Sequence, residues 1–337
     1  MSFGRLRELP RAKLWSEPTP VELLHNLAEQ TGAAKFYVKR DDCNGLAFGG
    51  NKVRQMEYYL GDAINKGADT LLITGAVQSN FVRTAAAGCA KLGLECHVQL
   101  ENRVTKDTQD YRQSGNVLLD RMLGAVIHEF PQGEDEAGAD ANLETIADGL
   151  RKDGRQPYVV HLHPSHPPFG ALGYIDCAIE IVEQIEKLDV KPDCIFTPSG
   201  SGNTHGGLLY GLRQLECDIP VTGVCVRRES DLQRLRIIDR LTQIAELLEQ
   251  QAVASVEDVF LTDAFLAPGY GVAGPQANEA IALAAQKEAL ILDPVYTSKT
   301  FAAAINFARN NPGANLLVIH TGGGPSVFGY KEDMLSI

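Results

Sequence analysis

The sequence has no Cys-x-x-Cys pair, and its seven cysteines (Cys43, Cys89, Cys96, Cys177, Cys194, Cys217, Cys225) are an odd number scattered along 337 residues. That excludes a disulfide framework and a structural zinc ribbon and reads as reduced, mostly buried thiols. No apolar run approaches the roughly 20 residues of a membrane span. The start, Met1 to Arg11, is charged from Arg5 onward and has no signal-peptide core, so a cytoplasmic protein is expected. Positive charge is also in short supply. Against 43 Asp and Glu stand 31 Lys and Arg, a formal net charge of -12. Nucleic acids and anionic membranes need a basic patch, so small molecules are the expected partners. Linkers rich in Pro or Ser, low-complexity tracts and internal repeats are absent too.

What is there is an ordinary globular composition, 44% hydrophobic and 22% charged, long enough for two domains. Apolar spacing predicts a helix over Val21 to Leu27 and a strand over Lys35 to Arg40. Beyond residue 50 come a helix to Gly67, strand Thr70 to Thr74, helix Asn80 to Leu92, strand Glu95 to Leu100, helix Asp110 to Leu123 and strand Ala125 to Phe130. A second run of strands begins at Tyr158-Val159-Val160 and continues through Cys194 to Thr197, Val221 to Val226 and Leu316 to His320. Strands alternating with helices imply right-handed β-α-β crossovers and an α/β fold with mostly parallel sheets covered on both faces. Two such units with a cleft between them are expected.

Ligands of parallel sheets sit at the carboxyl ends of strands, so the loops there carry the chemistry. Gly49-Gly50-Asn51-Lys52 sets a lysine at the mouth of a helix. Backbone N–H groups and Arg54 nearby favour its neutral amine, which can condense with an aldehyde. Gly200-Ser201-Gly202-Asn203-Thr204 opens the helix predicted over Gly207 to Gln214, and its glycines, hydroxyls and helix N-terminus make a phosphate cup or, alternatively, a plain tight turn. His205 fills the third glycine position of a dinucleotide fingerprint, and no P-loop ending follows. Gly75-Ala76-Val77-Gln78-Ser79-Asn80 offers donors for a carboxylate, or an N-cap. Asp293-Pro294-Val295-Tyr296-Thr297 and His320-Thr321-Gly322-Gly323 are two further strand-end loops. His161, His163 and His166 cluster among prolines with no evident carboxylate partner, so no metal is expected and the histidines line the cleft instead.

Taken with Lys39-Arg40-Asp41-Asp42, these motifs occur in the order seen in the D-cysteine desulfhydrase, L-cysteate sulfo-lyase and 1-aminocyclopropane-1-carboxylate deaminase family, which the sequence resembles over nearly its whole length. The resemblance implies a two-domain fold type II pyridoxal 5'-phosphate enzyme, similar to the tryptophan synthase β subunit and usually a homodimer. Residues 50-157 would form the small domain, and 1-49 with 158-337 the large one. It implies that Lys52 holds the cofactor, that Gly200, Ser201, Gly202, Asn203 and Thr204 bind its phosphate, and that Asn80 meets the ring hydroxyl. Gln78, Ser79, Asn80, Tyr270, Tyr296 and His163 would meet the substrate, with Ser79, Tyr270 and Tyr296 in the chemistry. Thr297 or Thr321 would partner the pyridine nitrogen. A hydroxyl there, where the cyclopropane deaminases have Glu, favours α,β-elimination over ring opening. The expected reaction takes D-cysteine or L-cysteate to pyruvate, ammonia and sulfide or sulfite. The alternatives are a cyclopropane-carboxylate deaminase, a non-catalytic binder of a phosphate ligand and a nicotinamide oxidoreductase. Phe81, where relatives have His or Gln, and His163-Pro164-Ser165-His166, where they have Val-Gly-Gly-Ser, depart from the pattern.

Overall fold

The alternation of strands and helices becomes two sheets in the computed structural model, which describes residues 3–163 and 165–337. The strands are β1 (Val21–Leu23), β2 (Lys35–Arg40), β3 (Thr70–Ala76), β4 (Glu95–Glu101), β5 (Val126–Phe130), β6 (Pro157–Val160), β7 (Cys194–Ser199), β8 (Val221–Cys225), β9 (Phe260–Thr262) and β10 (Asn315–His320). Six of them order as β1-β2-β10-β7-β8-β9, with only β1 antiparallel to its neighbour. The other four order as β5-β4-β3-β6, all parallel.

Period-two alternation covers both faces of the larger sheet. In β10, Leu316 and Val318 enter one apolar core, shared with Phe36, Val38 and Phe301. Leu317 and Ile319 enter another, shared with Ile195, Leu208 and Ile175. A strand buried on both faces reads as a continuous apolar run, which is why Leu316 to Ile319 shows no polar interruption. The smaller sheet has its own core, in which Leu71, Ile73 and Val98 meet Val53, Met56 and Leu60 of the helix Asn51–Asn65.

Three elements differ from the expectation. Tyr158-Val159-Val160 does not open the second run, because β6 pairs with Thr70 to Ile73 at the edge of the smaller sheet. Val21 to Leu23 is an edge strand on β2, and the helix starts only at His25; short apolar runs do not distinguish the two by period. The helix expected over Asp110 to Leu123 breaks into Gln109–Gln113 and Gly115–Met122. Gly115 lies at φ +58°, and a Cβ there would stand 2.5 Å from the Gln78 amide oxygen.

Candidate active site

Lys52 is placed by two pairs of glycines. Gly49 and Gly50 have φ of +64° and +112°, and a Cβ on them would stand 2.2 Å from the Asp42 carbonyl and 2.9 Å from the Thr321 carbonyl. Across from them a Cβ on Gly322 would lie 2.7 Å from the Gly50 Cα. The motifs at 49–50 and 322–323 are therefore halves of one close backbone crossing. Asp41, fully buried, clamps the start of the same helix. It accepts from Arg54 Nε at 3.1 Å, Arg54 Nη2 at 2.9 Å and the Thr19 hydroxyl at 2.8 Å. Burial opposes its charge, but Arg54 prevails and holds the carboxyl below its usual value.

The Lys52 amine donates to Gln55 Oε1 at 3.3 Å and stands 5.2 Å from the Phe81 ring centroid. Burial lowers its pKa from 10.5 to about 8. The neutral amine expected from the sequence is thus favoured, but by loss of water and not by a neighbouring cation.

Lys52 lines a cavity of about 980 Å³, counting space open to solvent, between the carboxyl ends of the two sheets. Gly200, Ser201, Gly202, Asn203 and Thr204 form one wall, and the helix begins at Asn203 rather than Gly207, so the cup includes its first turn. Thr204 Oγ1 accepts from Asn51 Nδ2 and Gln55 Nε2, each at 3.0 Å, which leaves its proton to donate. That pair of bonds couples the cup to the Lys52 helix. His205 points away from the cavity, its Nδ1 3.1 Å from the Ser199 hydroxyl, and burial lowers its pKa to about 4.

On the opposite wall Ser79 and Asn80 line the cavity. Ser79 is also the N-cap of the helix Asn80–Leu92, accepting from the Val82 amide at 3.3 Å. Asn80 receives a bond from Asn116 Nδ2 at 2.9 Å, so its own amide N–H₂ remains to donate. Gln78 differs from its expected role. Its side chain turns inward, donating to the carbonyls of Tyr111 and Ser114 and accepting from the Asn116 amide. It braces the loop instead of lining the cavity.

Tyr270 and Tyr296 both line the cavity, their hydroxyls 2.7 Å apart. Asp293 fixes Tyr296 by accepting its backbone N–H at 2.9 Å. The same carboxylate takes the Thr297 hydroxyl at 2.6 Å, so Thr297 is buried away from the cavity, while Thr321 lines it. Of the two threonines, only Thr321 lines the cavity.

His163 is not among the lining residues either; its Nδ1 faces the Ser165 hydroxyl at 2.8 Å. Pro164 beside it lies outside the described residues. Leu162 is what this stretch gives the cavity. His161 and His166 stack at 3.8 Å, and the carboxylates the sequence did not reveal are Asp140, 3.4 Å from His161 Nδ1, and Glu144, 3.1 Å from Nε2. Asp140, His161 and His166 bring possible ligand atoms within 4.8 Å of one another.

The sequence also gave no sign of four arginines lining the cavity, Arg103, Arg227, Arg228 and Arg236. Glu136 meets Arg227 at 2.6 Å, Arg228 at 2.8 Å and Arg236 at 3.3 Å. Burial opposes its charge, yet the guanidiniums of Arg236, Arg227 and Arg228 hold its pKa at about 2. The adjacent pair Arg227-Arg228, two residues after the strand that ends at Cys225, was the one available signal.

The family profile described as pyridoxal-phosphate dependent enzyme matches residues 13–322. A D-cysteine desulfhydrase from Salmonella typhi is 40% identical over 333 residues, covering 98% of this chain and 99% of that protein. Among solved structures, an ACC deaminase homologue superposes with a TM-score of 0.87 at 35% identity over 99% of this chain and 98% of that one. The Escherichia coli diaminopropionate ammonia lyase, at 18% identity, shares the fold with a TM-score of 0.66, covering 98% and 90% of the two chains. With a buried amine, a glycine-rich turn at a helix N-terminus and a tyrosine pair around one cavity, and likeness running nearly end to end, the chain belongs to the pyridoxal-phosphate-dependent enzymes of fold type II.

Proposed function

We propose that this enzyme eliminates the β-substituent of a small amino acid of the D-cysteine kind, giving pyruvate, ammonia and sulfide. The observation that carries the reading is the Lys52 amine, with its pKa lowered to about 8, in a cavity that also holds the cup and the paired tyrosines. The residues fit pyridoxal phosphate. The helix N-terminus at Asn203 with the Thr204 proton suits its phosphate, Lys52 its aldehyde, the Asn80 amide its ring hydroxyl and Thr321 its ring nitrogen. When bound, the cofactor supplies an electron sink for the Cα carbanion of the amino acid. The chain does the rest. The Lys52 amine takes the Cα proton, Ser79 and the free N–H groups of the first turn after it hold the substrate carboxylate, and the Tyr270–Tyr296 pair offers a proton toward the leaving thiolate.

Glu136 is the only carboxylate lining the cavity among the described residues, and three arginines already occupy it. No acid is left for the ring nitrogen, and a hydroxyl there makes a weaker sink, which suits prompt elimination and disfavours cyclopropane opening. The same proposal includes a small domain built on the four-stranded sheet and reaching about residue 160, a homodimer and a cytoplasmic location. Exposed Leu118, Met122 and Phe328 are apolar surface available to a second copy. The seven free cysteines suit a reducing compartment. Purified protein supplied with pyridoxal phosphate should make pyruvate and sulfide in equal amounts from D-cysteine. Production of 2-oxobutyrate from the cyclopropane amino acid, with none of these from cysteine, would contradict the proposal.

A further inference from the structure

We propose that Asp140, His161 and His166 form a site for one divalent transition-metal ion of the zinc class, and that the ion fastens the segment that puts Leu162 in the cavity wall. The site lies outside the groups assigned to the chemistry, so the inference does not depend on the lyase reading. It reverses the expectation from sequence, which rested on the lack of a visible carboxylate partner.

His161 directly follows β6, and Asp140 and Glu144 lie one turn apart on the helix Glu136–Lys152. The two carboxylates take opposite sides of the imidazole. Nε2 stands 3.1 Å from Glu144 Oε1, and Nδ1 stands 3.4 Å from Asp140 Oδ2. Glu144 draws the ring proton to Nε2 and so leaves a lone pair on Nδ1, which is how carboxylates orient metal-binding histidines. Nδ1 is buried and makes no hydrogen bond. Two acceptors therefore face one another with no proton between them, an unfavourable pair that a cation between them makes favourable. Their 3.4 Å separation also suits one ion, since ligand atoms bonded at roughly 2.0–2.1 Å to a tetrahedral zinc lie roughly 3.4 Å apart.

Asp140 is buried, and its carboxylate is aimed by the backbone: Oδ1 accepts the Leu162 amide at 3.4 Å and Oδ2 the His163 amide at 3.2 Å. The guanidiniums nearby are engaged elsewhere. Arg236 Nη2 donates to the Leu162 carbonyl at 3.2 Å and Arg240 Nη1 to the His166 carbonyl at 3.1 Å, while Arg151 meets the other oxygen of Glu144 at 3.3 Å. His166 supplies the third ligand. Its ring lies on that of His161, with planes 13° apart and centroids 3.8 Å apart. Parallel rings do not aim their lone pairs at one point, so the partly exposed His166 turns its ring as the ion binds. Water completes the four positions. Two imidazoles and one carboxylate suit zinc, cobalt or nickel and not magnesium or calcium, which take oxygen ligands.

The position of the site gives the ion its effect. Asp140 lies one turn after Glu136, the carboxylate that gathers Arg227, Arg228 and Arg236, and Leu162 lines the cavity between His161 and His163. Without the ion, two amide bonds of 3.2 and 3.4 Å hold this segment to the Asp140 carboxylate. With it, the segment and the helix share a metal.

The test uses the protein loaded with pyridoxal phosphate and freed of excess cofactor and of metal by a chelator. It is titrated with Co²⁺ by visible absorbance and with Zn²⁺ by calorimetry. One equivalent should bind, with the cobalt d–d bands of a four-coordinate nitrogen and oxygen site and no thiolate charge-transfer band. His161→Gln, His166→Gln and Asp140→Asn should each weaken binding at least about a hundredfold, and Glu144→Gln roughly tenfold. Should Asp140→Asn fail to fold, His166→Gln decides, since that ring only stacks on His161. Cys43→Ser and His128→Ala, which alter the exposed thiol and the separate His97–His128 pair, should leave affinity within about twofold. Zn²⁺ should slow hydrogen exchange of the Leu162 and His163 amides at least about tenfold. The proposal is overturned if neither ion binds, which leaves a proton between His161 and Asp140, or if His161→Gln and His166→Gln bind as the parent does. Binding that leaves both amides exchanging as before overturns the fastening role. None of these readouts needs turnover, so failure of the lyase reading leaves the test intact.

Discussion

At the Lys52 end of the cavity the functional atoms are held by backbone, and at the Arg103 end they are held by other side chains. Lys52 is where it is because two glycine pairs let chain segments cross at contact distance, and the cup is the first turn of a helix. Arg103, Arg227, Arg228 and Arg236 come from two strand-end loops and a helix and are gathered on Glu101 and on Glu136 at the start of another helix. Backbone-built sites tolerate little change in the local sequence. Side-chain-built sites can be re-specified by a few substitutions, so the first end suits the shared cofactor chemistry and the second suits substrate choice.

The largest effect should come from the first end. Lys52→Ala is expected to lower turnover by at least roughly 10³-fold while leaving folding intact, measured by pyruvate formation and circular dichroism. Tyr296→Phe should cost roughly 10²-fold in kcat and Tyr270→Phe less, since one hydroxyl of a pair 2.7 Å apart still serves. If these losses fall on KM instead, the tyrosines belong with recognition and the comparison breaks. Lys299 sharpens it from outside the cavity. Its buried amine donates to the carbonyls of Leu266 at 2.7 Å and Gly269 at 2.6 Å, and so holds the loop that carries Tyr270. Lys299→Met should destabilise the protein by roughly 1–3 kcal/mol in urea unfolding and shift kcat and KM together.

A smaller effect separates the two threonines. Thr321→Val should change turnover severalfold with stability kept, whereas Thr297→Val should lose about 1 kcal/mol of stability through the broken Asp293 bond. A Thr297→Val protein of normal stability and altered cofactor absorbance would reverse that assignment. The pH dependence of cofactor capture by the apo-protein has a definite sign. The Lys52 amine is protonated and unreactive below about 8, so the capture rate should rise with pH, about tenfold per unit, and level off above about 8. A rate still climbing near pH 10 would mean that the cavity does not dry the lysine.

How much of this could be read from residues alone follows the same division. Lys52, the 200–204 cup, Ser79, Asn80 and the paired tyrosines lie in short contiguous motifs at strand ends, where local backbone geometry dictates the residue type. The arginine cluster is not contiguous: Arg103 and Glu136 are 33 positions apart and are brought together only by packing. Gln78 misled because its neighbours Ser79 and Asn80 do line the cavity, while the loop's turn points its own side chain at Gly115. Thr297 misled in the same way, since adjacency to Tyr296 does not place a hydroxyl at the start of a helix on the same side. His163 was grouped with histidines whose carboxylate partners sit on a distant helix.

The most direct measurement is to load the protein with pyridoxal phosphate, reduce it with borohydride and map the labelled lysine by peptide mass spectrometry. The label is expected on Lys52 alone. Its appearance on Lys299, the other lysine whose pKa burial lowers to about 8, or its absence from every lysine, would contradict the assignment of the cavity as the catalytic centre.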